Sequence, residues 1–182
     1  MKKLKENYGL NIVPVEPNIN IVFDNMVAEW GGSPFAQLSV VLVHLKFLYE
    51  VHQNHHWVSM GDPFYGDHQL FQRLYTDVVS EIDNVAEKSI GLGCTYNVDL
   101  QLVNLQRSKL IAGYGMTTTI PQTSDLARRS LMAELNFIKV IDLALNSLKE
   151  CGMLTNGVDN MLQDIADKHE GHVYLLKQRC SK

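Results

Sequence analysis

From Phe35 to about Ser59 the chain carries no glycine or proline and runs through FAQLSVVLVHLKFLYEVHQNHHW. A stretch this long, apolar around most of its circumference, fits a helix buried inside a bundle. The preceding Gly31-Gly32-Ser33-Pro34 reads as a helix start, with Ser33 as N-cap and Pro34 at the first helical position. Gly61-Asp62-Pro63 breaks the run, and a second helix is expected from about Tyr65 to Ile90, stopped by Gly91 and Gly93. A third long helix opens after Ile120-Pro121, with Ser124-Asp125 near its start, and continues through LARRSLMAELNFIKVIDLALNSLKECG to Gly152. The fourth spans about Asn156 to Arg179. Between the second and third, residues 94–115 hold a shorter apolar piece, VDLQLVNLQRSKLIAG. The fold class is all-α: four long helices and one long middle connection.

The remainder of the chain bounds the rest. Its 182 residues suffice for one domain with a sizeable core. Residues 1–33, with Pro14 and Pro17, read as an N-terminal extension containing a short extended piece (NINIVF) and then a short amphipathic turn. Residues 34–182 read as the bundle domain. No apolar run approaches the roughly 18 residues of a membrane span, and MKKLKENYGLN lacks the apolar stretch of a signal peptide, so the cytoplasm is the expected location. Cys94, Cys151 and Cys180 have no metal-like spacing and read as free thiols. With a net charge of −4 the body shows no basic stripe for nucleic acid. Lys2, Lys3 and Lys5 are the exception: a basic arm that could touch DNA phosphates, or a solvated tail.

Four residues carry the chemistry: His56, His68, Asp83 and Glu87. At about 100° per residue, a helix places His68, Gln72, Asp83 and Glu87 within an arc of roughly 100°. Imidazole, amide and two carboxylates form the mixed nitrogen and oxygen set that suits iron. Carboxylates neutralise the cation, and a neutral imidazole holds it in both oxidation states. A plain alternative is a subunit interface of His–carboxylate ion pairs.

The run HHWVSMGDPFYGDH, followed by LFQRLYTDVVSEIDNVAEKSIGLG, resembles the Dps family, the small shell-forming relatives of ferritin. The likeness lies in His56-Trp57, Gly61 five residues after that histidine, an aromatic three further on, and His68 twelve after His56. Asp83, Ala86-Glu87-Lys88 and Leu92-Gly93 complete it. It covers about residues 52 to 93, weakens over the rest of the bundle and is absent over the first thirty.

The resemblance implies a ferritin-like four-helix bundle with a short extra helix in the long crossover between helices two and three. It further implies a homo-oligomeric shell of twelve chains. Between two-fold-related chains, His56 and His68 of one would face Asp83 and Glu87 of the other. The implied activity is that of a ferroxidase-type oxidoreductase. It oxidises Fe(II) with hydrogen peroxide, stores Fe(III) in the hollow shell and protects against oxidative damage. Asp142, Asp159, Asp164 and Asp167 are candidates for acidic surfaces that attract Fe(II).

One departure matters. Four residues after the second histidine the family places an Asp, and this chain has Gln72. An amide supplies no charge, so the second metal position, near His68 and Gln72, is expected to be weak. Zinc binding at the same site, or a ferroxidase-impaired shell that coats DNA or handles another divalent metal, is the alternative. Asp62 and Asp67 are nearby candidates for compensation. His52 lies on the His56 face and is a candidate additional ligand or a hydrogen-bond partner of one, whereas His55 points about 100° away. Trp57 is expected to pack in the core. The chain has no Glu-x-x-His, so a ferritin-type site inside one bundle is poorly supported. HEGHVYLLKQ resembles the family's closing helix, with Tyr174 at its aromatic position, and His169 and His172 are expected at the surface or an interface.

Overall fold

The computed structural model describes residues 17–116 and 123–181. These form α1 (Ile19–Glu29), α2 (Ala36–Val58), α3 (Phe64–Gly91), a 3-10 turn (Thr95–Val98), α4 (Leu100–Gly113), α5 (Thr123–Glu150) and α6 (Asn156–Cys180). Among the described residues there is no strand. The lysines Lys2, Lys3 and Lys5 and the Ile120-Pro121 pair lie outside them.

Helix α2 is the centre of the molecule. Fifteen of its 23 residues are buried, which an all-round apolar helix requires. It packs against α3, α4 and α5, while α6 closes the bundle against α5 and α3. The other long helices are one-sided. On α3 the buried stripe is Asp67, Phe71, Leu74, Val78, Glu81, Val85 and Ser89, spaced by three or four, and on α6 it runs Val158, Leu162, Ile165, His169, His172, Val173 and Leu176. Four long helices, α2, α3, α5 and α6, with α4 in the crossover, form a ferritin-like bundle, as the pattern of breakers predicts.

Two local expectations change. The segment NINIVF is the first part of a helix, not an extended piece. Ile19, Phe23, Met26 and Trp30 recur at helical spacing and enter the same core as the bundle. The Trp30 indole donates to Gln106 Oε1 at 3.0 Å, and Gln106 Nε2 donates to the Met26 carbonyl at 3.0 Å, tying α1 to α4.

Ser33 does not cap α2. Its hydroxyl donates to Asn97 Oδ1 at 2.6 Å, and the N-cap is Phe35, in the left-handed region at φ +56°. That conformation costs roughly 1–2 kcal/mol for a residue with a Cβ. It is held by Asn97 Nδ2, which donates to the Pro34 and Phe35 carbonyls at 2.8 and 3.1 Å. The crossover therefore sets the start of the central helix.

Candidate metal centres

His56, near the end of α2, and His68, in the second turn of α3, meet across the Gly61-Asp62-Pro63 turn. Their rings stack with centroids 3.7 Å apart and planes 23° from parallel. Each Nδ1 bonds the other's backbone carbonyl, at 2.9 Å from His56 to His68 and 3.0 Å in return. A carbonyl oxygen only accepts, so each Nδ1 carries the proton and each Nε2 keeps its lone pair. Both rings are half-buried.

Gln72, Asp83 and Glu87 lie on the exposed face of α3, opposite its buried stripe. His68 and Asp83 are fifteen residues apart on this one helix, which is about 22 Å at 1.5 Å per residue. Within one chain the two histidines and the two carboxylates therefore do not converge on a single ion. Asp83 lines an open groove with Tyr49, Glu50, Val79 and Arg107.

Other expectations are redirected. Trp57 is 66% exposed and takes no part in the core of the chain. Asp67 is buried against Arg179, whose Nε and Nη2 donate to its two oxygens at 2.5 and 3.0 Å, so it has no free carboxylate to offer in place of the missing Asp. Asp62 stays exposed in the turn. His52 points into the bundle, away from the His56 pair, and His55 is buried with its Nδ1 at 2.8 Å from Ser130 Oγ. Burial, helped by His52 and Arg129, pushes the His55 imidazole down to about 3.

A second constellation lies inside the bundle and includes His169 and His172, which the sequence places at the surface or an interface. Both are buried, as are His52, Glu81 and Glu134. Glu134 is the hub. Its Oε1 accepts from His52 Nε2 at 2.7 Å and His172 Nδ1 at 3.2 Å, and its Oε2 from His169 Nδ1 at 2.5 Å. His169 Nε2 donates onward to Glu81 Oε2 at 2.9 Å, and His172 Nε2 lies 3.3 Å from Asp77 Oδ2. Ligand-type atoms of Glu134, His169 and His172 all lie within 4.8 Å of one another. A His/carboxylate group within one bundle is therefore present without any Glu-x-x-His motif.

The electrostatics follow from burial and pairing. Burial alone would push the His169 imidazole down, but the Glu134 and Glu81 carboxylates outweigh it and raise the ring to about 9. Burial likewise opposes the charge on Glu134. The His169 charge and the hydrogen bonds from His169, His172 and His52 overcome it and hold the carboxyl well below its usual range. His52 is lowered, chiefly by burial.

The fold is that of a ferritin-like bundle, and the comparisons agree on the fold. The chain is 36% identical over 79 residues to the nutrient stress-induced DNA-binding protein of Nostoc sp., a match spanning 42% of this chain and 43% of that one. It is 25% identical over 160 residues to DNA protection during starvation protein 2 of Bacillus anthracis, spanning 86% of this chain and 92% of the relative. Among solved structures, Dps from Thermosynechococcus elongatus aligns with a TM-score of 0.69 at 16% identity, over 91% of this chain and 96% of that one. DpsC from Streptomyces coelicolor aligns at 0.62 and 17% identity, over 81% and 83%. No family model matches the chain. Within the ferritin-like fold, the chain is similar to proteins of the Dps family.

Proposed function

We propose that the protein binds Fe(II) as substrate between two-fold-related chains and oxidises it with hydrogen peroxide. His56 and His68 of one chain and Asp83 and Glu87 of the other supply the ligands. The observation that carries this reading is the reciprocal His56–His68 pair. Two carbonyls lock the tautomers so that both Nε2 lone pairs are left for a cation. The carboxylates needed to complete the site are exposed about 22 Å (Asp83) and about 28 Å (Glu87) further along the same helix. Antiparallel pairing of α3 with its copy, about an axis near Thr76, brings His68 opposite the partner's Asp83 and Glu87 and generates two identical sites. Exposed Trp57, Met60, Phe64, Tyr65 and Val79 supply the apolar surface such a contact would cover.

In the reaction two Fe(II) each give one electron, and one peroxide takes both electrons and two protons to become two waters. Fe(III) is the harder ion, so it prefers oxygen ligands and hydrolyses to oxide. Storage of that oxide in a cytoplasmic shell of twelve chains, protecting against peroxide damage, completes the proposal. Among the described residues no helix is long and apolar enough to cross a membrane. The test is size-exclusion chromatography after adding Fe(II) and peroxide, reading protein and iron together. Iron eluting with an assembly of about twelve chains supports the proposal, and an assembly eluting without iron defeats it.

A second reading rests on Gln72. This exposed amide leaves the position near His68 without charge, which favours zinc binding there over iron turnover. A shell of that kind would bind or coat DNA, using Lys2, Lys3 and Lys5 on phosphates. A gel shift with and without residues 1–8 decides the role of the arm: unchanged binding on truncation removes it.

A further inference from the structure

Beyond the interface site, we propose that each bundle holds one divalent first-row transition cation at Glu134, His169 and His172. The argument starts from where the hydrogen bonds point. His169 Nε2 is held by Glu81 at 2.9 Å, and His172 Nε2 faces Asp77 at 3.3 Å. Carboxylates that grip the far nitrogen of a histidine orient its near nitrogen as a metal ligand. Here both near nitrogens, the two Nδ1 atoms, face the carboxylate of Glu134. Each near nitrogen shares a proton with that carboxylate, and a cation that displaces those protons meets three lone-pair atoms converging on one buried point.

The distances lie close to those a metal requires. Ligands bound at about 2.1 Å stand roughly 3.0 Å apart when they occupy neighbouring corners of an octahedron, and about 3.4 Å in a tetrahedron. The two Nδ1–carboxylate separations are 2.5 Å to Oε2 and 3.2 Å to Oε1, and the ligand atoms of the three residues all lie within 4.8 Å of one another, so a cation would draw them together. It takes the place of the bridging protons, which leave with solvent.

A second observation points to a cation missing from the network. Glu81 is fully buried, yet its Oε1 accepts no hydrogen bond. Its Oε2 accepts from the His169 ring at 2.9 Å, while Lys168 Nζ, 3.8 Å from Oε1, is already 2.8 Å from Asp164. Two fully buried carboxylates, Glu81 and Glu134, thus share a single buried cation, the His169 ring that bridges them. Burying such charge is costly unless it is matched.

The donor set chooses the class of ion. Two imidazoles and one carboxylate with open positions suit Fe(II), Co(II) or Zn(II), whereas Mg(II) and Ca(II) want oxygen ligands. Asp77, partly exposed beside His172, is where the cluster comes nearest to solvent. The apolar wall is Phe137, whose ring meets His169 edge to face at 4.5 Å.

The experiment uses the full chain carrying Asp83→Ala and Glu87→Ala, which removes the carboxylates proposed for the interface and leaves the interior intact. It is titrated with Co2+ alone. One equivalent per chain, with visible d–d absorption, is expected, and adding His172→Gln should weaken binding by about ten-fold or more. A double variant that takes up no Co2+ at ten-fold excess overturns the proposal, as does a His172→Gln derivative that binds like its parent. If that derivative does not fold, a Zn2+-soaked crystal of the unsubstituted protein decides. An anomalous peak within about 2.3 Å of Glu134 and both Nδ1 atoms supports the site. A peak only beside His56 and His68 overturns it while leaving the interface reading intact.

Discussion

His56 and His68 hold each other: each ring's Nδ1 donates to the other's backbone carbonyl, at 2.9 and 3.0 Å, and the rings stack at 3.7 Å. The pair clamps the end of α2 to the start of α3 and fixes both tautomers in one step. Replacing either ring frees the other, so His56→Ala and His68→Ala should each slow Fe(II) oxidation by about ten-fold or more. Both rings are only half-buried, so the thermal midpoint should change little. Stopped-flow oxidation and thermal unfolding on the same samples check this, and an unchanged oxidation rate would remove the pair from the site.

Asp83→Ala with Glu87→Ala should abolish tight Fe(II) binding at the interface and leave the bundle folded, because both side chains are exposed on α3. Circular dichroism and iron oxidation are the paired readouts. Oxidation at the parent rate would show that the carboxylates lie elsewhere.

Gln72→Asp restores a charged ligand four residues after His68. Oxidation should speed up, since a second cation gains a carboxylate at that position. The initial rate after mixing Fe(II) with peroxide tests it. A rate that stays the same or falls would argue that Gln72 does not stand near metal.

Glu134→Gln removes the hub charge that His52, His169 and His172 all contact. The His169 ring is then a buried cation with Glu81 as its remaining carboxylate. Breaking one side of a buried charge network costs about 3–5 kcal/mol. Denaturant unfolding of the metal-free protein in chelator should show that loss, and a change below about 1 kcal/mol would mean that the network contributes little.

Acid should destabilise the fold through His44. The ring is buried, its Nε2 makes no hydrogen bond and its Nδ1 bonds only the Val40 carbonyl, so burial holds it down to about 4. The folded value lies below the unfolded one of 6.5. Its stabilising contribution is therefore present above pH 6.5 and lost as pH falls towards 4, by about 3 kcal/mol in total. His169 runs the other way: raised to about 9, it contributes below 6.5 and its contribution is lost as pH rises through 9. His44→Gln should flatten the acid limb of unfolding free energy between pH 6.5 and 4. An unaltered slope there would show that other groups set it.

The sequence alone determined the four long helices, though not α1. Breakers at Gly61-Asp62-Pro63, Gly91, Gly93 and Gly152 delimit long runs whose apolar period can be read directly, and the His56 to Glu87 spacing is local to one helical hairpin. The start of α2 was not legible, because its clamp comes from Asn97, sixty-two residues away from Phe35. Nor was the interior cluster, whose members sit on α2, α3, α5 and α6 and share no motif. One signal was available: Glu81, Glu134, His169 and His172 occupy positions where the three-and-four spacing of each helix calls for apolar side chains. A titratable group in such a stripe is costly to bury alone. Only the tertiary packing shows that each finds its partner on another helix, because helix spacing says which way a side chain faces and not what faces it.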